Sequence, residues 1–71
     1  MKDHPLRRYR QEKRLTQNAL AIRLGVYSIT VSRWESGRRN IDVELLPRIS
    51  RLTGISPAEL RPDLAALFES T

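Results

Sequence analysis

Each of the three glycines in the chain follows a run of apolar residues with helical spacing. Gly25 comes after Leu20 and Leu24, and Gly37 and Gly54 come after similar groups. A glycine in this place is typical of a helix that ends in a left-handed turn, a conformation that other residues adopt only at a cost. The chain is therefore expected to form short helices with marked ends. No stretch of the sequence alternates with the two-residue period of a strand.

Start signals for helices agree with these ends. Thr16 is well placed to cap a helix, and Ser56, followed by Pro57 and Glu59, is typical of a helix start with a capping box. An all-α fold of five helices is predicted, with approximate bounds Pro5–Lys13, Gln17–Leu24, Ser28–Ser36, Val43–Thr53 and Pro57–Leu60.

Two prolines limit the C-terminal half. Pro47 is tolerated only in the first turn of a helix, so the fourth helix can begin later than Val43. Pro62 ends or kinks the fifth helix, after which Asp63–Glu69 can form one more short helix. Residues 62–71 are thus expected to be a short extension of a single domain that spans residues 1–71.

The same periodicity predicts the hydrophobic core. Its expected members are Leu6, Leu15, Leu20, Ala21, Leu24, Val31, Trp34, Leu45, Ile49, Leu52, Ile55 and Leu60. For Trp34, contact of the indole with a sugar-phosphate backbone is the alternative to packing.

The composition limits how the fold is stabilised. With 71 residues, the chain is near the size at which a single core just suffices. It has no cysteine, so neither a disulfide nor a thiolate metal site is available. The one histidine, His4, has no second imidazole or thiol to share a metal and is expected in a solvated tail. No metal, other cofactor, signal peptide or membrane span is predicted, which favours the cytoplasm.

The net charge of +5 is unevenly distributed along the chain. Residues 1–39 carry ten Lys and Arg against three acidic residues, a balance of +7. Residues 40–71 carry three Arg against five acidic residues, a balance of −2. The electric field of this charge distribution would orient the first half of the chain toward a polyanion. Basic charge alone, however, is more simply interpreted as a solvated face.

The segment from Leu15 to Arg39 reads LTQNALAIRLGVYSITVSRWESGRR. Two short amphipathic helical stretches are joined by a tight turn at Gly25, which is the layout of a helix-turn-helix with its core at about residues 16–36. The second stretch has a polar outer face backed by Val31 and Trp34, and such a surface can enter the major groove of DNA. Because the basic charge falls on the same segment, nucleic-acid binding is favoured over a merely solvated face.

The pattern L-T-Q-x-x-L-A-x-x-L-G-V, followed by V-S-R-W-E-S-G-R-R, resembles the lambdoid phage repressor and Cro family of small XRE-type regulators. The resemblance extends from about Leu6 to Leu60. It implies a five-helix DNA-binding domain that acts as a dimer on a palindromic operator, in the cytoplasm of a bacterial cell or a phage-infected host. An enzyme is not expected, because no nucleophile elbow, Gly-rich phosphate loop or H-E-x-x-H motif is present.

Base readout is expected from the outer face of the third helix, from Tyr27, Ser28, Ile29, Ser32 and Arg33. Arg33 is the best single candidate, because its planar guanidinium can donate two hydrogen bonds to O6 and N7 of guanine. Contact with a phosphate is the alternative for Arg33.

Phosphate contacts are expected from four residues. Gln17 lies in the first turn of the second helix, where free N–H groups and the helix dipole favour an anion. By resemblance, Gln17 also braces side chains of the recognition helix. Arg38, Arg39 and Asn40 follow the third helix, where the loop of the family tracks the DNA backbone. An ordinary exposed loop is the alternative for Arg39 and Asn40.

Arg10 and Glu35 match family positions that, by resemblance, form a partly buried ion pair between the first and third helices. The chain departs from the family pattern at Arg14, where glycine is usual, and at Tyr27, where a small capping hydroxyl is usual. Either the third helix starts on Ser28, or an uncapped start is tolerated.

Dimer contacts are expected from Leu64, Leu67 and Phe68, with packing on their own core as the alternative. A dimer would place two recognition helices about 34 Å apart, in successive major grooves. The predicted function is a sequence-specific DNA-binding regulator, most simply a repressor. One alternative is an antitoxin that binds a toxin protein and regulates its own expression. Another is an adaptor that keeps the fold but binds protein instead of DNA.

Overall fold

Helices are the regular structure of residues 3–69, the part of the chain that the computed structural model describes, with side chains given for residues 3–67. The chain divides into two units, up to Asn40 and from Ile41 onward. The first unit contains α1 (Pro5–Glu12), α2 (Gln17–Leu24) and α3 (Ser28–Glu35). The second unit contains α4 (Leu46–Thr53), α5 (Pro57–Leu60) and α6 (Ala65–Glu69), with 3₁₀ turns at Val43–Leu45 and Pro62–Leu64. The all-α prediction is confirmed, and within the described residues a sixth helix follows the predicted five.

Hydroxyl side chains cap two helices, as predicted. Oγ1 of Thr16 accepts a hydrogen bond from the N–H of Ala19 at 3.0 Å, at the start of α2. Oγ of Ser56 accepts one from the N–H of Glu59 at 3.2 Å, at the start of α5. Each cap satisfies a first-turn N–H that has no partner within its helix, which typically stabilises a helix by about 1 kcal/mol.

His4 caps α1, so the expectation that it lies in a solvated tail is wrong. Nδ1 of His4 accepts a hydrogen bond from the N–H of Leu6 at 3.1 Å, and the ring is half-buried. Pro5 follows directly and occupies the first position of the helix, where its fixed φ favours helix initiation. The His-Pro pair is therefore a helix start rather than part of a tail.

Four described residues have a left-handed backbone. Three are the glycines that predict helix ends, with φ of 74° at Gly25 and 77° at both Gly37 and Gly54. The fourth is Arg14, in the loop between α1 and α2, with φ of 56°. This loop thus keeps a conformation suited to glycine, although a residue with a side chain occupies it.

The core of the first unit is formed by α1, α2 and α3. Its six fully buried apolar residues are all predicted core members: Leu6, Leu20, Ala21, Leu24, Val31 and Trp34. Leu15, also predicted, is half-buried. Complete burial of a large apolar side chain contributes about 1.5–3 kcal/mol, so these residues hold α3 against the other two helices.

The second unit buries a partly different set from the predicted one. Leu52 is 51% exposed, so its assignment to the core is wrong, and Leu45 and Ile55 are only half-buried. Up to residue 67 of this unit, the buried apolar residues are Ile41, Leu46, Ile49 and Leu60.

The register of α4 explains this difference. A 3₁₀ turn ends at Leu45 and the α-helix begins at Leu46, which is the later start that Pro47 in the first turn allows. Within α4, Leu46 and Ile49 lie on the buried face, whereas Leu52 lies on the flank away from Leu46 and is exposed.

Arg61 connects the first residue of the second unit with its C-terminal part. Its Nη1 donates a hydrogen bond to the carbonyl of Ile41 at 2.7 Å, and its Nε and Nη2 donate to the carboxylate of Asp63 at 2.9 and 2.7 Å. Nearby, Leu64 is half-buried and Leu67 is 68% exposed. The side chain of Phe68, the third predicted dimer contact, lies outside the described residues.

Candidate nucleic-acid interface

A tight turn at Gly25 sets α3 against α2. The left-handed backbone of Gly25 ends α2, and the N–H of Val26 donates a hydrogen bond back to the carbonyl of Ala21 at 3.0 Å. Beyond the turn, α3 contacts α2 and buries Val31 and Trp34. Trp34 is thus a packing residue, and the opposite face of α3 remains exposed.

The exposed face of α3 carries the five residues expected to read bases. Tyr27 is 81% exposed and Ile29 is 54% exposed, while Ser28 and Arg33 are also exposed and Ser32 is half-buried. Within the described part of the chain, none of these side chains has a hydrogen-bond or ion-pair partner. Hydroxyl, guanidinium and aliphatic groups on one helix face are the groups that contact base edges in the major groove.

The start of α3 lacks a side-chain cap. Tyr27 occupies the cap position, α3 begins at Ser28, and no described side chain accepts a hydrogen bond from the first turn. Both alternatives for this departure from the family pattern are therefore observed together, because α3 starts on Ser28 and its start is also uncapped.

The carboxylate of Glu35, at the end of α3, accepts hydrogen bonds from three side chains. Nε of Arg10 donates to Oε2 at 2.9 Å, and Nη2 of Arg10 donates to Oε1 at 3.0 Å. Nε2 of Gln17 and Nε of Arg7 donate to Oε1 at 3.2 and 3.4 Å. Arg10 also donates from Nη1 to the carbonyl of Leu15 at 3.1 Å. This cluster connects α1 and the start of α2 to the end of the recognition helix.

Glu35 is ionised in this cluster even though its side chain is fully buried. Burial by itself raises the pKa of the carboxyl, but the hydrogen bonds from Arg10, Gln17 and Arg7 outweigh it, and the pKa lies below its ordinary value. The hydrogen bond with Glu35 likewise raises the pKa of Arg10. The cluster therefore stays charged at neutral pH, and its charges are satisfied internally.

The residues expected to contact phosphates lie at two places. Gln17 begins α2, and its side-chain amide is directed to Glu35 rather than outward. The N–H groups of Arg38 and Arg39 both donate to the carbonyl of Arg33, at 3.0 and 3.2 Å, which folds this loop against the end of α3. The side chains of 38, 39 and 40 are all exposed.

Comparison with known families agrees with this geometry. A family model described as helix-turn-helix matches residues 6–60, most of the chain. The chain belongs to the XRE/Cro-type helix-turn-helix family. Searches of curated proteins and of solved structures found no match.

The helix-turn-helix of this family is a DNA-binding regulatory domain. Among residues 3–69, no three His, Cys, Asp or Glu side chains are grouped so that they could hold a metal ion. None of the described helices has the length and apolar character needed to cross a membrane.

Arg7 also contributes to the helix-turn-helix domain, although it is not among the functional residues predicted from the sequence. Its Nε donates to Glu35, and its Nη1 lies 4.0 Å from Oδ1 of Asp3. Arg7 and Arg10 are three residues apart and therefore lie on one face of α1. This spacing is the signal that could have placed both arginines beside the same carboxylate.

Proposed function

We propose that this helix-turn-helix domain is a sequence-specific regulator of transcription, most simply a repressor that binds a palindromic operator as a dimer. The observation that carries the proposal is the two-sided character of α3. Its inner face is buried through Val31 and Trp34, while its outer face presents polar and aliphatic groups that have no partner among residues 3–67. A helix whose inner face is packed in the core and whose outer face carries free hydrogen-bonding groups is suited to reading base edges.

Each outer residue of α3 has a distinct role in the proposal. Arg33 donates two hydrogen bonds to a guanine, Ser28 and Ser32 bond to either base type, and Ile29 contacts a thymine methyl group. Tyr27, at the start of the helix, contacts DNA from the position where a capping residue is otherwise expected.

Phosphate contacts hold this helix in register. Arg38, Arg39 and Asn40 are exposed in a loop that hydrogen bonds to the end of α3. For Gln17 the side-chain amide is engaged with Glu35, so its contribution is the backbone N–H in the first turn of α2. Such contacts fix position and orientation but carry no sequence information.

The proposed dimer uses the second unit. Leu67 is exposed there, as are Val43 and Leu52, and exposed apolar side chains on so small a unit favour a protein contact. We propose Leu64, Leu67 and Phe68 as the contact. Sedimentation equilibrium of the wild-type protein and of Leu67→Glu tests it, because the charged variant should remain monomeric at concentrations at which the wild type dimerises.

Selection of bound sequences from a random duplex pool tests the function itself. An enriched two-fold symmetric site, bound with an affinity that falls as salt rises, is the expected result; neutralising Z phosphates gives a log–log slope near −0.9Z. Enrichment of no sequence would contradict the proposal. DNA binding that requires a stoichiometric, co-purifying protein would instead favour an antitoxin.

A further inference from the structure

Arg14 is the one residue with a side chain among the described residues that have a positive φ. The other three positions with this backbone are glycines, with φ of 74° to 77°, and Arg14 has φ of 56°. An L-residue in this conformation brings its Cβ close to the following carbonyl oxygen, at a cost in free energy that glycine avoids. The chain thus uses glycine wherever else this backbone occurs and an arginine here.

The strained backbone of Arg14 is held from both sides. The N–H of Arg14 donates to the carbonyl of Gln11 at 3.1 Å, and the N–H of Leu15 donates to the carbonyl of Arg10 at 2.8 Å. The guanidinium of Arg10 then binds the carbonyl of Leu15 and, through Glu35, the end of α3. The backbone from which the Arg14 side chain projects is therefore held relative to the recognition helix.

The guanidinium of Arg14 is exposed and has no partner within residues 3–67. Three other cations of α1 and its end have partners: Arg7 and Arg10 bind Glu35, and Nζ of Lys13 lies 6.0 Å from the centre of the Tyr9 ring. Arg14, in contrast, makes no side-chain contact among residues 3–40 that accounts for an arginine at this strained position. Outliers that the surrounding structure maintains at a cost are typical of functional positions.

We infer that Arg14 binds a backbone phosphate of the DNA that lies against α3. This inference rests on the function proposed above and adds to the phosphate contacts predicted from the sequence. A guanidinium can donate two parallel hydrogen bonds to two oxygens of a phosphate. Such a contact would explain why arginine occupies a position whose backbone is suited to glycine. The left-handed backbone of Arg14 then lowers the stability of the domain, while its guanidinium adds a positive charge beside the helix-turn-helix.

Three variants at position 14 separate charge from strain. Arg14→Gly removes both, Arg14→Ala removes the charge but keeps a side chain at the strained backbone, and Arg14→Lys keeps the charge. Arg51→Ala is the matched control, because Arg51 is an exposed arginine of α4 and is not among the proposed DNA contacts. Melting temperature is followed by circular dichroism, and affinity for the selected duplex is followed by fluorescence anisotropy between about 0.05 and 0.3 M KCl.

We expect Arg14→Gly to melt about 2–5 °C higher than the wild type and yet to bind DNA more weakly. Loss of one phosphate contact makes the log–log salt slope less negative by about 0.9 per bound subunit, equivalent to about eightfold in affinity per subunit at 0.1 M salt. Arg14→Ala should lose the same affinity without the gain in melting temperature. Arg14→Lys should keep the wild-type slope, and the bases preferred at each position should not change.

An unchanged slope in Arg14→Gly and Arg14→Ala, or a change no larger than that of Arg51→Ala, would overturn the inference. So would a change of base preference confined to the position 14 variants. Failure of the proposed function is distinguishable, because the wild-type protein would then show no selective, salt-dependent binding at all.

Discussion

The guanidinium of Arg10 and the carboxylate of Glu35 share two hydrogen bonds, at 2.9 and 3.0 Å, between α1 and the end of α3. A third hydrogen bond joins Arg10 to the carbonyl of Leu15, just before α2. One side chain therefore orders the three helices of the first unit around the recognition helix. Its loss is expected to weaken DNA binding through the fold rather than through direct contact.

Replacing Arg10 with Ala should lower the free energy of unfolding by about 3 kcal/mol, because the buried carboxylate of Glu35 loses its main partner. Urea denaturation followed by circular dichroism measures the change. Arg8→Ala is the matched control, since Arg8 is an exposed arginine of the same helix, and should change stability by about 0.5 kcal/mol or less. Equal effects of the two substitutions would contradict the role of the ion pair.

The stability of the protein should fall in acid because of Glu35. Its pKa in the folded state lies below its ordinary value of 4.5, so the unfolded chain takes up the proton at a higher pH than the folded protein does. The contribution of Glu35 is therefore complete above about pH 4.5 and is lost as the pH falls through the folded-state pKa. Urea denaturation between about pH 3 and 7 should show a steeper acid loss for the wild type than for Glu35→Gln.

Asp63 is the control for that experiment, because its hydrogen bond with Arg61 also lowers its pKa. Asp63 is exposed, so Asp63→Asn should flatten the acid profile much less than Glu35→Gln does. Parallel profiles for the wild type and Glu35→Gln would show that the buried carboxylate does not control acid stability.

The two leucines of α4 should respond differently to truncation. Leu46 is buried and Leu52 is half exposed, although both have the same chemistry and lie in the same helix. We expect Leu46→Ala to cost about 2–5 kcal/mol and Leu52→Ala about 1 kcal/mol or less. Thermal and urea denaturation at low micromolar protein measure both, and equal losses would contradict the observed register of α4.

Arg33→Ala should relax base preference at one position of each half-site. A bidentate arginine–guanine contact discriminates by about 1–3 kcal/mol, or roughly tenfold to a hundredfold in relative affinity. Repeating the selection from a random duplex pool with the variant measures this loss. Arg38→Ala is the comparison, because a phosphate contact should weaken binding to all sequences equally; the same uniform weakening by Arg33→Ala would reassign Arg33 to phosphate.

The helices of the first unit were predictable because their signals are local. Thr16 and Gly25 mark the two ends of α2 within the sequence itself, and apolar spacing selects the buried face of each helix. The exposed outer face of α3 follows from the same spacing. This is why the predicted base-reading residues lie together on one helix.

The structure differs from the sequence predictions where contacts between distant residues, or less common backbone geometry, determine the position of a side chain. The buried face of α4 passes through Leu46, and the spacing of Leu45, Ile49 and Leu52 fits an alternative helix face, so the sequence alone does not distinguish the two faces. The part played by Arg7 depends on its distance from Glu35, which lies 28 residues away in the sequence. The strain at Arg14 becomes visible only in the backbone angle.

The uncapped start of α3 also provides a built-in reporter. With Tyr27 at the cap position, the amide hydrogens of Ser28 and Ile29 have no acceptor among the described residues. They should exchange with deuterium faster than the amides deeper in the helix. If these two amides exchange more slowly after duplex DNA is added, DNA is bound at the start of the recognition helix. The measurement needs no substitution in the protein.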